Sequence, residues 1–123
     1  MRTFVVVGVG GALGTMARHA VNVVVSRLVT HAVPVATGLA NLAGCLAIGV
    51  LTGLIVGGHV RMSAPVRSFV FVGILGGFTT FSTFGLDTFT LLREGQPLVA
   101  LTNVAIQVGG GLLALGAGYW LAK

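Results

Sequence analysis

An all-α integral membrane protein of four transmembrane helices is the fold class this sequence predicts, on three observations. Of 123 residues, 55% are hydrophobic and 7% are charged, whereas a soluble domain carries about 25% charged residues. Mean hydropathy is +1.05, and the apolar residues fall into four runs, each close to the roughly 20 that a spanning helix needs. Between the runs lie short connections that hold glycine, proline and charge.

Span 1 is expected from about Phe4 to Val25. It is too long and too glycine-rich for a signal peptide and has no small-residue cleavage site before a polar chain, so the sequence predicts that it is retained. Span 2, from about Val33 to Val56, follows a connection carrying Arg27 and His31 before Pro34. Span 3, from about Val66 to Leu92, follows Gly57, Gly58, His59, Arg61 and Pro65. Span 4, from about Leu98 to Leu121, follows Arg93, Glu94, Gly95 and Pro97. Such short turns make neighbouring spans antiparallel. The whole length, 1–123, is then one transmembrane domain with no room for a soluble one.

The net charge of +5 comes from basic residues scattered singly, which speaks against nucleic acid, a partner that wants a basic stripe on a soluble face. Four spans place Arg2, Arg61, Arg67 and Lys123 on one side of the bilayer and Arg27 and Arg93 on the other. That weak bias favours termini inside and leaves room for insertion in both orientations. Cys45 is the only cysteine, so no intrachain disulfide and no metal-ligand spacing exist, and the residue reads as small packing.

Twenty glycines are present. Gly10 with Gly14, then Gly49, Gly53 and Gly57, then Gly73 with Gly77 recur at helix-contact spacing, the pattern of seams along which membrane helices approach closely. Gly109-Gly110-Gly111 is denser than a seam and suggests close approach of backbone to some other group. Gly8 to Gly14 resembles a dinucleotide fingerprint, but that motif needs a preceding strand and an acid about 20 positions on. The only acids are Asp87 and Glu94, so this reading is rejected.

The strongest local signal is Gly76-Gly77-Phe78-Thr79-Thr80-Phe81-Ser82-Thr83-Phe84, two glycines, four hydroxyls and three rings inside a span. In hydrocarbon an unpaired backbone group is tolerated only where protein or a wet cavity satisfies it, so the segment reads as a functional break in span 3. Phe81 and Phe84 share a helix face, and ring edges are electropositive. Beside hydroxyl donors, such edges could accommodate a small anion.

Three other residues carry open alternatives. Arg18 inside span 1 either snorkels to the interface or faces a water-filled vestibule that attracts anions; Asn22 shares its face. Asn41, one turn after Thr37, is either interhelical glue or a donor lining a pathway, since its amide offers two hydrogens. Asp87, one turn past Phe84, lies near the span end or on the pathway. Glu94 reads as a solvated loop residue, and Tyr119 with Trp120 as an interfacial belt.

Taken together, these residues resemble the Fluc/CrcB family of fluoride channels. The family's Gly-Gly-x-Thr-Thr-Phe-Ser-Thr-Phe signature is complete at Gly76 to Phe84, supported by Gly10 to Gly14 with Arg18 in span 1 and by Thr37 and Asn41 in span 2. The resemblance covers all four spans. It implies passive fluoride export across the plasma (inner) membrane by an antiparallel dual-topology dimer, with two pores around a central sodium ion. It further implies an aromatic box of Phe81 and Phe84, fluoride donation by Asn41, a polar track through Ser82 and Thr83, and sodium held by the main-chain carbonyls of Gly76 and Thr79. Departures from the family are Asp87 where Glu is usual, Gly85 where Ser often stands, and a stretch of span 4, Asn103 to Gly111, whose polar side chains are Asn103 and Gln107 instead of serines. Gln107 is read as a larger substitute donor. These differences leave room for a working dimer of two unlike chains, one of them a non-conducting subunit. The alternative class, a proton-coupled exporter of the small multidrug resistance type, needs a carboxylate in span 1, which this chain lacks. No covalent chemistry is expected, so the chain does not read as an enzyme.

Overall fold

The computed structural model describes residues 1–30 and 32–123; His31 of the first connection lies outside them. Every element among the described residues is helical. Four stretches are long and apolar enough to cross a bilayer: Arg2–Leu28, Pro34–Val56, Ala64–Arg93 and Pro97–Ala122. The chain is therefore a multi-pass membrane protein, and its many outward-facing Leu, Val, Phe and Met side chains suit a hydrocarbon solvent.

The span ends follow local chemistry. Pro65 and Pro97 sit in the first turns of spans 3 and 4, where proline's missing N–H would have had no partner. Helix Ala32–Val56 closes with Gly58 at φ +77°, with Gly58 N–H donating to the Ile55 carbonyl and His59 N–H to that of Leu54. Helix Phe81–Arg93 closes the same way through Gly95 at φ +72°. There Gly95 N–H donates to the Leu92 carbonyl and Gln96 N–H to that of Leu91. Both are glycine-terminated caps that need a left-handed residue.

The spans pack mainly as two pairs, the first with the N-terminal half of the third and the second with the C-terminal half of the fourth. Glycine makes both contacts possible. A Cβ on Gly10 would come within 2.7 Å of the Phe69 carbonyl oxygen, one on Gly77 within 2.6 Å of that of Gly11, and one on Gly14 would strike the Ile74 carbonyl. In the other pair, Gly49 and Gly53 lie against the backbone of Leu115 and Tyr119, while Gly118 lies against Leu46 and Val50.

Gly57 lies just past the last helical residue, Val56, yet keeps the contact its spacing predicts: a Cβ there would come within 3.1 Å of the Lys123 carbonyl oxygen at the end of span 4. In the run Gly109-Gly110-Gly111 the close approach is to side chains of span 2 at two positions: Leu42 Cδ2 lies 3.2 Å from a Cβ on Gly110 and Cys45 Sγ 3.3 Å from one on Gly111, while one on Gly109 meets nothing within 4 Å. Two stretches wind more widely, as π-helix, at Ser68–Leu75 and Ala105–Gly110. Such turns often mark functional positions; the first leads toward the signature and the second carries Gln107.

Candidate functional site

Thr79 and Thr80 interrupt the helical winding of span 3. Their backbones are extended, at φ −84°, ψ 159° and φ −154°, ψ 117°, between the short turn Gly76–Phe78 and helix Phe81–Arg93. Several of the backbone groups released by this opening meet side chains. In an unbroken helix, Thr80 N–H would serve the Gly76 carbonyl; here it donates to Asn41 Oδ1 at 2.8 Å. Thr83 N–H would serve the Thr79 carbonyl, and instead donates to the Thr80 hydroxyl oxygen at 3.3 Å, which makes Thr80 the N-cap of the following helix. The Thr80 carbonyl accepts from Asn41 Nδ2 at 3.1 Å. Asn41 thus clips both backbone groups of one residue from across the bundle.

The Gly77 carbonyl is met from span 1. Arg18 Nε donates to it at 3.2 Å and the Thr15 hydroxyl lies at 3.5 Å. Neither alternative for Arg18 included this contact: the guanidinium reaches a carbonyl that the opened turn has freed, an acceptor that no reading of span 1 alone can supply.

The expected site residues fall into three groups. Asn41, Gln107, Thr79, Phe81 and Phe84 line one groove of about 240 Å³, together with Thr80, Cys45, Ile48 and Val108. The two rings are 5.5 Å apart between centroids and tilted by 51°; Phe84 is buried at 9% exposure while Phe81 is 82% exposed. Thr37 and Thr83 line a second groove of about 300 Å³ with His19, Asn22 and Ser26. Asp87 lines a third of about 710 Å³ with Thr90, Glu94 and Gln96, and bridges back to the second through a 2.7 Å hydrogen bond donated by Thr37. Ser82 is exposed, its hydroxyl 3.3 Å from that of Thr80. Gly76 is exposed on the outer surface of the single chain.

Several roles were not foreseen. Thr80 is the hub of the opened turn, and a threonine, a preferred N-cap residue, directly ahead of Phe81 was the available signal. Thr88 and Asn103 extend the polar network: Asn103 Nδ2 donates to the Thr88 hydroxyl at 3.0 Å, and Gln107 Nε2 to Asn103 Oδ1 at 2.8 Å. Gln107 also accepts from Asn41 Nδ2 at 2.7 Å, so toward Asn41 it is an acceptor. Its i, i+4 relation to Asn103 was visible in the sequence; its partner 66 residues away was not. Among the described residues no buried side-chain nitrogen or oxygen lacks a partner, as a low-dielectric interior requires.

Residues 5–119 match the family model described as CrcB-like protein, Camphor Resistance (CrcB). A protein named fluoride-specific ion channel FluC from Hyphomonas neptunium is 40% identical over 123 residues, 100% of this chain and 97% of that protein. Proteins of the same name from Paracoccus denitrificans and Pseudomonas fluorescens are 46% and 47% identical, each over 121 residues. The first alignment covers 98% of this chain and 94% of the relative, the second 97% and 95%. On a family match and full-length relatives of this order, the chain belongs to the CrcB family.

Proposed function

We propose that this protein is a fluoride-selective channel that lets fluoride leave the cell passively across the plasma (inner) membrane, with no covalent step. The observation that carries the reading is the opened turn of span 3, clipped by Asn41 beside the Phe81–Phe84 pair in one groove. The relatives' printed name supplies the identity of the ion.

Fluoride is small and strongly hydrated, so a pore has to replace its lost water with closely spaced donors. The Asn41 amide, the hydroxyls of Ser82 and Thr83 and the electropositive ring edges of Phe81 and Phe84 are donors of that kind, and none brings a full charge that would hold the ion too tightly. Pore width combined with lining donors is the general basis of channel selectivity, and a narrow passage excludes larger halides.

The working unit in this proposal is an antiparallel dual-topology dimer with two pores. Phe81, 82% exposed in the single chain, needs a facing wall to act as part of a box, and a second copy would supply it. The family further implies a central sodium ion. The residues fit: the Gly76 and Thr79 carbonyls have lost their helical donors to Asn41 and Thr80, and such freed oxygens are hard ligands of the type that broken membrane helices offer to sodium. When bound, the ion would supply fixed positive charge where two chains meet.

Fluoride efflux from proteoliposomes, followed with an ion-selective electrode, tests the reading on the purified chain. Efflux of fluoride but not chloride is expected. Absence of flux from the chain alone, restored by an unlike partner, would replace the homodimer with a paired assembly; absence under both conditions would sink the channel.

A further inference from the structure

The polar side chains between the opened turn and span 4 form one hydrogen-bonded line whose direction is set by the backbone at both ends. Thr80 N–H can only donate, so the Asn41 atom 2.8 Å from it is Oδ1. Asn41 Nδ2 is then the atom that meets Gln107 Oε1 at 2.7 Å. Gln107 Nε2 in turn donates to Asn103 Oδ1 at 2.8 Å, and Asn103 Nδ2 to Thr88 at 3.0 Å. The Thr88 hydroxyl ends the line on the Phe84 carbonyl at 2.7 Å. Turning any one amide over would set two donors or two acceptors face to face.

This direction leaves Asn41 with no spare hydrogen, since its two are donated to the Thr80 carbonyl and to Gln107 Oε1. An anion that takes a hydrogen bond from Asn41 must displace one of those acceptors. The Thr80 carbonyl belongs to a residue whose own N–H is also clipped by Asn41, so it moves only with the turn. Gln107 Oε1 sits at the end of a rotatable side chain that lines the same groove as Phe81 and Phe84.

We propose that Gln107 is a positioning residue that acts as a built-in competitor: its Oε1 holds the place on Asn41 that the permeating anion takes, and withdraws when the anion arrives. The inference rests on the channel reading above and deepens it, since it assigns an acceptor role to the span 4 amide that lines the groove. Occupancy of the Asn41 donor is then an exchange between an amide oxygen and fluoride.

The test is initial fluoride flux in proteoliposomes as a function of fluoride concentration, for the wild type, Gln107→Met and the double variant Asn103→Leu/Gln107→Met. Met keeps the length of Gln without its acceptor, and the double variant leaves no amide of span 4 without a partner. Loss of a competitor worth one neutral hydrogen bond lowers the half-saturating fluoride concentration about fivefold in both variants. A purely structural role for Gln107 would lower the maximal rate and leave the half-saturating concentration unchanged. That result, or a rise in the half-saturating concentration, overturns the proposal; if Gln107→Met does not fold, the double variant decides. A wild type silent both alone and with an unlike partner would overturn the channel reading and this proposal with it, whatever the variants do.

Discussion

At Gly10, Gly14 and Gly73 spans 1 and 3 meet through bare backbone, with no room for a methyl group on either side. A few residues on, at Thr79 and Thr80, the same span opens and is held by side chains from elsewhere in the bundle. In the seam, association comes from close van der Waals packing, the main resource of helices that share an apolar solvent. At the opened turn it comes from hydrogen bonds to groups that hydrocarbon would leave unpaired. Steric damage and polar damage should therefore separate: the seam governs whether the chain folds, the turn governs what it conducts.

Five substitutions break or sharpen that contrast. Gly14→Leu sets a side chain onto the Ile74 carbonyl and within 2.9 Å of Phe78 N, backbone that cannot step aside. Overpacking of this kind is expected to cost about 3 kcal/mol or more, seen as loss of monodisperse protein on gel filtration in detergent. Asn41→Ala removes three hydrogen bonds and orphans the Thr80 N–H, at about 1–3 kcal/mol for such a group. Fluoride efflux is expected to fall about tenfold to a hundredfold, while folded protein is still recovered; unchanged efflux would remove Asn41 from the pathway.

Thr37→Val keeps the shape of the side chain but deletes the donor to the buried Asp87 carboxyl. A loss of about 1–3 kcal/mol should appear as a lower thermal midpoint in detergent, and no change would mean that Asp87 relies on other partners. Phe81→Ile alters a ring that the single chain leaves exposed, so chain stability should shift by less than about 0.5 kcal/mol. Its efflux should still fall about fivefold, if the ring edge supplies about 1 kcal/mol beyond burial. Gly109→Ala is the smallest change: a Cβ there meets nothing within 4 Å, and a thermal midpoint shift equivalent to less than about 0.5 kcal/mol is expected, in contrast to Gly14.

Much of the arrangement could be read from the chain, because a bilayer leaves few choices. Four apolar runs separated by turn residues have to become four helices, and Gly10, Gly14, Gly73 and Gly77 advertise close contacts by their spacing. The signature at Gly76 to Phe84 announced a polar event within a span. The spacing did not say that the first glycine pair meets the second, nor that Gly49 and Gly53 meet span 4. The two readings of Arg18 both looked outward from span 1, since its acceptor belongs to a turn 59 residues away.

Composition and periodicity by themselves determined the membrane class, the number of spans and the small-residue seams, since burying about 20 residues in hydrocarbon and bringing helix backbones together are demands met within each segment. Only the tertiary structure decided that Asn41 clips Thr80, that Thr37 holds Asp87, and that Gln107 presents its oxygen and not its nitrogen to Asn41. A hydrogen bond depends on which atom faces which, and between residues 39 to 66 positions apart that orientation exists only once the helices have packed.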